Sequence, residues 1–373
     1  MKVAIIHEML IKLGWAENVV LDILEIFPEA DLYTLIYDEE KVWRLFPKDR
    51  VQPTPKITQR AYNITKNQRF CLPFMAKAIE SLDLSSYDLV IASSSWFAHW
   101  CITKPETCFV VYYHSPARYL WDYTFEHRKD MNYRSFFKKP LLMFLSIIFQ
   151  KLRIWDYLAG QRHDVAIAAS KQVQQRIAKY YRRESELIYP WVYVDDFEIW
   201  EKMLKDRDHY VILSALTEFK KVDVSVKAFT KMWYKLVIVW EWAQRAYLES
   251  IAWENIKFVW YKNHDELKEI YKEARWFIMS WRDDFWIAPI EAMAAWVPVF
   301  ALNKGWLVET NIKWLSGDFF EDSEGWDFIE RFEAFHEDID EGRYDRIKIR
   351  NHALTFRKER FHEELKELLS RYI

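Results

Sequence analysis

The sequence predicts an α/β protein with two parallel-sheet domains, and three observations carry that expectation. Short apolar runs suited to strands buried on both faces alternate with helical periodicity through most of the chain. Successive strands are separated by helical segments, many of ten or more residues, the spacing that parallel pairing with right-handed crossovers requires. The length, 373 residues, favours two domains over a single core.

In chain order, residues 3–7 read as the first strand, followed by a loop through Gly14 and Trp15 and a helix over 16–26. Residues 31–37 form the next strand. The stretch 41–86 is mixed and shows only a helix ending near Leu82. Strands at 88–93 and 108–114 precede a helix over 140–163 and a strand at 164–170. Residues 186–190 read as the passage between domains. The second half repeats the scheme, with strands at 209–216, 235–239, 255–259, 276–280 and 297–302. Helices fall at 222–232, 243–252, 264–274 and 288–295, and the last, 358–371, is amphipathic. The domains are therefore expected at 1–185 and 186–355, with 356–373 a C-terminal helix packing back toward the first. Two such units facing each other would share a cleft at their strand C-termini.

Composition excludes some functions and exposes one anomaly. A net charge of −3 gives no global pull toward nucleic acid. Cys71, Cys101 and Cys108 lack metal-ligand spacing, which suits a reducing, cytoplasmic setting. No apolar run approaches the ~18 residues of a membrane span, and the N-terminus reads as a strand rather than a signal peptide. Average usage of about 7% would give roughly 26 glycines. The chain has 6 Gly and 20 Trp, and 6 + 20 = 26. Many of these tryptophans sit where a tight turn calls for glycine. Most are therefore expected to be glycines in the natural protein, through a UGA codon read there as glycine. The other reading is a Trp-rich protein, in which indoles filling glycine turns would each cost ~1–3 kcal/mol.

The stretch around which the site is organised is 280–298. It places Asp283 in a loop, Pro289 at an early helical position and Glu291 on the first turns of the same helix, with Trp281, Trp286 and Trp296 at glycine-like positions. A carboxylate such as Glu291 accepts two hydroxyl hydrogen bonds at once, which suits a ribose diol. The neighbouring helix N-terminus has free N–H groups for a diphosphate. Read alone, Glu291 could equally be a solvated helical Glu.

This block resembles the E-D-F-G-I-x-P-x-E-A-M-A-x-G-x-P-V motif of the family-four GT-B glycosyltransferases (glycosyl transferases group 1), with Trp286 and Trp296 standing at glycine positions. The resemblance extends along nearly the whole chain and implies two Rossmann-like domains with parallel sheets facing a central cleft. It implies that Asp283, one methylene shorter than the usual Glu, lies beside the donor sugar and that Glu291 binds the nucleotide ribose. Gly14-Trp15-Ala16-Glu17 resembles the family's G-G-A-E loop, and residues 303–310, with Gly305, Trp306 and Glu309, resemble G-G-x-x-E-T; both loops approach the donor diphosphate. Residues 239–242 resemble a G-D/E-G turn. Lys220 matches the phosphate-binding lysine, whose ammonium would neutralise charge as the sugar–phosphate bond breaks. Ala215 stands where many members have Arg. With tryptophan in these loops, the phosphate pocket would be filled.

His114-Ser115-Pro116-Ala117-Arg118-Tyr119-Leu120-Trp121-Asp122 resembles a mannosyltransferase-like branch and implies His114 beside the transferred sugar; a lone His there would more simply be a core histidine. Trp121 and Trp155 match genuine tryptophans of that branch. His7-Glu8 stands at a strand end where it could hold donor or acceptor. The function implied is a retaining hexosyltransferase, mannose favoured, using a GDP- or UDP-sugar. Its acceptor would be a glycan or lipid-linked chain in cell-surface polysaccharide or glycolipid assembly, and no cofactor or metal is required. A catalytically decayed sugar-nucleotide- or glycan-binding protein is the other reading. Residues 136–149, apolar between lysines, suit either peripheral contact at the inner membrane face or a buried core helix.

Overall fold

A computed structural model describes residues 1–122, 139–197, 201–215, 217–239, 244–260 and 262–373, with side chains in the helix that begins at Lys139 described from Ser146 onward. The chain divides into two compact units. The first comprises Met1–Pro190 and His362–Ile373, and the second Trp191–Phe361.

The first unit is built on a six-stranded sheet: β1 (Val3–Leu10), β2 (Asp31–Tyr37), β3 (Leu89–Ser94), β4 (Cys108–Tyr113), β5 (Val165–Ala168) and β6 (Glu186–Leu187). The spatial order is β2-β1-β3-β4-β5-β6, and every pair is parallel. Residues such as Ile5, Ile6, Val90, Ile91, Val110 and Val111 are fully buried, which is why these strands read as continuous apolar runs. The segment 186–190, expected as a passage, instead begins as edge strand β6, with Ile167 opposite Glu186. The mixed stretch resolves into two helices, Lys56–Thr65 and Leu72–Glu80. The long helix, Lys139–Ala159, ends four residues before its expected end, at Gly160, whose Cβ would meet the Tyr181 ring at 2.7 Å. The last helix, Lys358–Leu369, brings His362 Nε2 within 3.3 Å of Asp22, in the helix Trp15–Ile26.

The second unit repeats the architecture with β7 (His209–Leu213), β8 (Leu236–Val239), β9 (Ile256–Val259), β10 (Ala274–Met279), β11 (Val299–Leu302) and β12 (Gly317–Phe320) in the order β12-β11-β10-β7-β8-β9. Ala274 and Arg275 lie in β10, so this strand starts before its expected position. The sequence reading lacks β12 and the helices Lys171–Tyr180, Phe328–Asp340 and Arg346–Ala353. Phe328, Phe332 and Phe335 pack with Phe300 and Trp276 into an aromatic core on one face of the sheet.

Two helix ends show what the chain geometry asks of tryptophan. After Ile287–Ala294, the Val297 N–H bonds to Ala292 O (2.9 Å) and the Trp296 N–H to Met293 O (3.0 Å), while Trp296 has φ +68°. That is a Schellman cap, whose left-handed position favours glycine. Trp233 ends the helix Val222–Met232 at φ +63°, and Trp314 sits in a turn at φ +67°. Left-handed backbone costs a residue with a Cβ about 1–2 kcal/mol.

Candidate functional site

In the first unit, three adjacent strands bring His7, Ser93 and His114 together. His7 in β1 is in register with Ser93 in β3, and His114 follows β4. His7 Nδ1 faces the Ser93 carbonyl (3.3 Å) and hydroxyl (3.2 Å), and Nε2 lies 3.7 Å from Glu17, an ion-pair distance. The Ser93 carbonyl only accepts, so His7 Nδ1 carries a proton, and the Glu17 carboxylate beside Nε2 favours the charged ring. Burial opposes that charge, but Glu17 and Glu8 outweigh it and raise the His7 pKa. The Glu17 carboxyl is correspondingly held down: burial opposes, and contact with His7 prevails. The Ser93 hydroxyl, accepting from His7, donates its own proton to His114 Nε2 at 2.7 Å. Burial and the His7 charge hold the His114 pKa well below its ordinary value. His114 is therefore neutral with its proton on Nδ1, a buried N–H without a hydrogen-bond partner.

Gly14 precedes the helix that presents Glu17 to His7, and a Cβ on Gly14 would meet Glu17 Oε2 at 3.0 Å. Trp15 lies edge-on to the His114 ring, with centroids 4.5 Å apart. Glu8 serves the backbone. Its Oε1 accepts from the backbone N–H groups of Ser95, Trp96, Phe97 and Ala98 (2.7, 2.6, 3.1 and 3.3 Å) and so holds the turn after β3.

The segment after His114 is fixed by groups that sequence reasoning missed. Arg176 donates to the Ser115 hydroxyl (3.2 Å) and pairs with Asp122, which Tyr180 also contacts. Trp121 stacks on Tyr180 and donates to Asp156 (2.7 Å), where Trp100 (2.8 Å) and Tyr181 (2.9 Å) also donate. A lone Asp in the apolar stretch 139–159 is the sequence signal that could have revealed Asp156. Arg176 and Ser93 had none.

In the second unit, the loops after adjacent strands β7, β10 and β11 converge. Lys220, buried after β7, forms an ion pair with buried Asp283 after β10. Gly305, after β11, has φ +80°, and a Cβ there would meet the Asp283 carbonyl at 2.7 Å. The loop is tied down by the Trp306 N–H on that carbonyl (3.2 Å). Three indoles fill the space as the sequence implied: Lys220 Nζ lies 4.5 Å from the Trp286 ring and 4.9 Å from Trp281, and Trp306 packs on Phe285 at 4.6 Å. The indole N–H groups of Trp281, Trp296 and Trp306 are buried without an acceptor, each a cost of about 1–3 kcal/mol. Asp283 and Asp284 are both buried. Lys221 pairs with Glu324 (2.8 Å).

Glu291 sits in the second turn of the helix Ile287–Ala294, buried beside Tyr271. Burial raises its pKa to about 7, against the opposing Tyr271 hydrogen bond. Glu309 is half-buried in the short helix Leu307–Thr310. The G-D/E-G-like turn at 240–242 and residue 216 lie outside the described residues, as do residues 136–138 of the apolar stretch. Within that stretch, Phe149 packs on the core against Tyr119. Among the described residues, one grouping could offer ligand atoms to a cation, Asp22, Glu25 and His362, and it joins the last helix to the helix Trp15–Ile26. No described helix is long and apolar enough to cross a membrane.

Residues 195–350 match the family described as Glycosyl transferases group 1. An uncharacterized glycosyltransferase, MJ1607, of Methanocaldococcus jannaschii is 27% identical over 179 residues, 41% of this chain and 46% of that protein; the match thus spans less than half of the relative. Among solved structures, the apo lipopolysaccharide outer core galactosyltransferase WaaB is similar over 100% of both chains (TM-score 0.69, 12% identity). Anabaena Alr3699/HepE in complex with UDP also matches over 100% of both (0.69, 14%). The sucrose-phosphate synthase of Thermosynechococcus elongatus matches over 100% of this chain and 99% of its own (0.69, 15%). At these identities the structural likeness shows the fold. The chain thus has the GT-B fold, two parallel six-stranded α/β units, and its residues 195–350 are similar to the Glycosyl transferases group 1 family.

Proposed function

We propose that the protein is a retaining hexosyltransferase, mannose favoured, that uses a GDP- or UDP-sugar and needs no metal. Its acceptor is a glycan or lipid-linked chain in cell-surface polysaccharide or glycolipid assembly at the inner membrane face. The observation that carries the reading is the convergence of Lys220, Asp283 and Gly305 from the C-terminal ends of three adjacent parallel strands, one helix away from Glu291. An ammonium at that edge offsets charge on a leaving diphosphate. Glu291 offers a carboxyl group to a ribose diol. The Alr3699/HepE structure with UDP supports a nucleotide-sugar donor. In the other unit, His114 Nδ1–H would donate to a sugar hydroxyl. Residues 305–309 would line the diphosphate.

The reading requires glycine at Trp15, Trp281, Trp286, Trp296 and Trp306. Left-handed tryptophans, acceptorless buried indoles and indoles packed around Lys220 all support that assignment. Trp100 and Trp121 differ, because each indole N–H has a buried carboxylate to serve. The test begins with the coding DNA and the intact mass of the native protein. It continues with a screen of GDP- and UDP-sugars on protein carrying glycine at the five positions. Transfer with retained anomeric configuration is expected, and Lys220→Ala should abolish it. Nucleotide binding without transfer or donor hydrolysis from any sugar would favour the decayed binding protein instead.

A further inference from the structure

We propose that the surface formed by the helices Lys56–Thr65 and Leu72–Glu80 in the first unit docks the protein on an anionic lipid bilayer. Residues 50–79 contain six basic residues, Arg50, Lys56, Arg60, Lys66, Arg69 and Lys77, and no Asp or Glu, in a chain whose net charge is −3. All six are exposed. Among the described residues, none forms an ion pair with a carboxylate, whereas neighbouring Asp38 is held by Lys41 and Glu80 by Arg162.

Four large apolar side chains project among these cations: Ile57 (40% exposed), Ile64 (84%), Phe70 (61%) and Phe74 (37%). Their spacing follows the helix. Ile57 and Ile64 are seven residues apart on the face that also carries Arg60, while Thr58 and Tyr62 point into the protein. Phe70 and Phe74 follow in the short turn Gln68–Cys71 and the start of the next helix. A protein-binding hot spot gathers its apolar groups at a centre depleted of charge. Here each apolar group stands beside a cation, the arrangement that places rings and aliphatic tips at the acyl boundary and ammonium or guanidinium groups among phosphates. Charge complementarity thus selects anionic lipid as the occupant. The inference extends the lipid-linked acceptor proposed above, but vesicle binding is read without any transfer, so either can fail alone.

The full chain is sedimented with vesicles of phosphatidylcholine, and with vesicles that also contain phosphatidylglycerol. Pelleting is expected only with the anionic vesicles and should weaken as salt rises to about 0.5 M, where the Debye length falls to a few ångströms. Lys56→Gln/Arg60→Gln/Arg69→Gln should lower vesicle affinity by roughly fivefold per charge, on the order of 100-fold together. Ile64→Glu/Phe70→Glu should lower it at least about tenfold, from lost apolar insertion alone. All five positions are exposed, so both variants should melt with the parent protein, which serves as the folding control. Failure to pellet with anionic vesicles, equal pelleting with neutral ones, or pelleting undiminished in the Ile64/Phe70 variant overturns the proposal. Heparin retention undiminished in that variant, without vesicle binding, would identify a soluble polyanion as partner and overturn it equally.

Discussion

The Ser93 hydroxyl lies 2.7 Å from His114 Nε2, and through it the Nδ1–H of His7 fixes which nitrogen of His114 carries the proton. The relation is readable by nitrogen chemical shift. In the parent protein, His114 should show a pyrrole-type Nδ1 and a pyridine-type Nε2 in long-range proton–nitrogen spectra. Ser93→Ala should let the other tautomer appear and lower kcat about tenfold, equivalent to ~1.4 kcal/mol, with a smaller effect on KM. A His114 spectrum unchanged by Ser93→Ala would refute the relay.

His7 gives the first unit a pH dependence of known sign. Its pKa is raised in the folded state by Glu17 and Glu8 against the cost of burial. The stability this contributes is full below the unfolded value near 6.5 and is lost as pH rises through the higher folded value. Chemical denaturation of His7→Gln should therefore be flatter than the parent between pH 6 and the parent's upper transition. The gap between the two should close as pH rises.

Glu291 acts with the same sign in the second unit, in a lower window. Its folded pKa is about 7 against 4.5 when free, because burial penalises the carboxylate. Its protonated form stabilises the fold below pH 4.5, and that contribution disappears between pH 4.5 and about 7. Glu291→Gln keeps the neutral shape and should be more stable than the parent at pH 8, by up to roughly 3 kcal/mol, with the advantage vanishing near pH 4. Nucleotide affinity should fall in the same variant, which isothermal titration would measure.

Tryptophan substitutions should fall into two classes. Trp233→Gly and Trp314→Gly relieve left-handed backbone at positions 63% and 52% exposed, and each should raise stability by roughly 1 kcal/mol. Trp100→Phe and Trp121→Phe each remove a donor from buried Asp156 and should cost about 1–3 kcal/mol. Thermal melts of the four variants separate the classes; a destabilised Trp233→Gly would argue for a native indole there.

Much of this protein was legible in the chain itself. Buried parallel strands need apolar residues on both faces, so β1, β3, β4, β7 and β10 announce themselves by composition. Helix caps demand a residue that tolerates positive φ, so Trp296 could be suspected before any fold was known. Lys220, Asp283 and Glu291 were marked by the family motifs that their segments resemble. The helix Lys56–Thr65 and strand β12 were not, because one carries few apolar residues and the other is four residues long with Gly317 packed against the Val299 carbonyl. Only the tertiary structure decided that Ser93 joins His7 to His114, that Glu8 serves the backbone and that Asp156 collects two indoles and a phenol. Those relations cross 21 to 90 residues of sequence. A hydrogen bond of that range depends on where strands and helices come to lie, which no local pattern records.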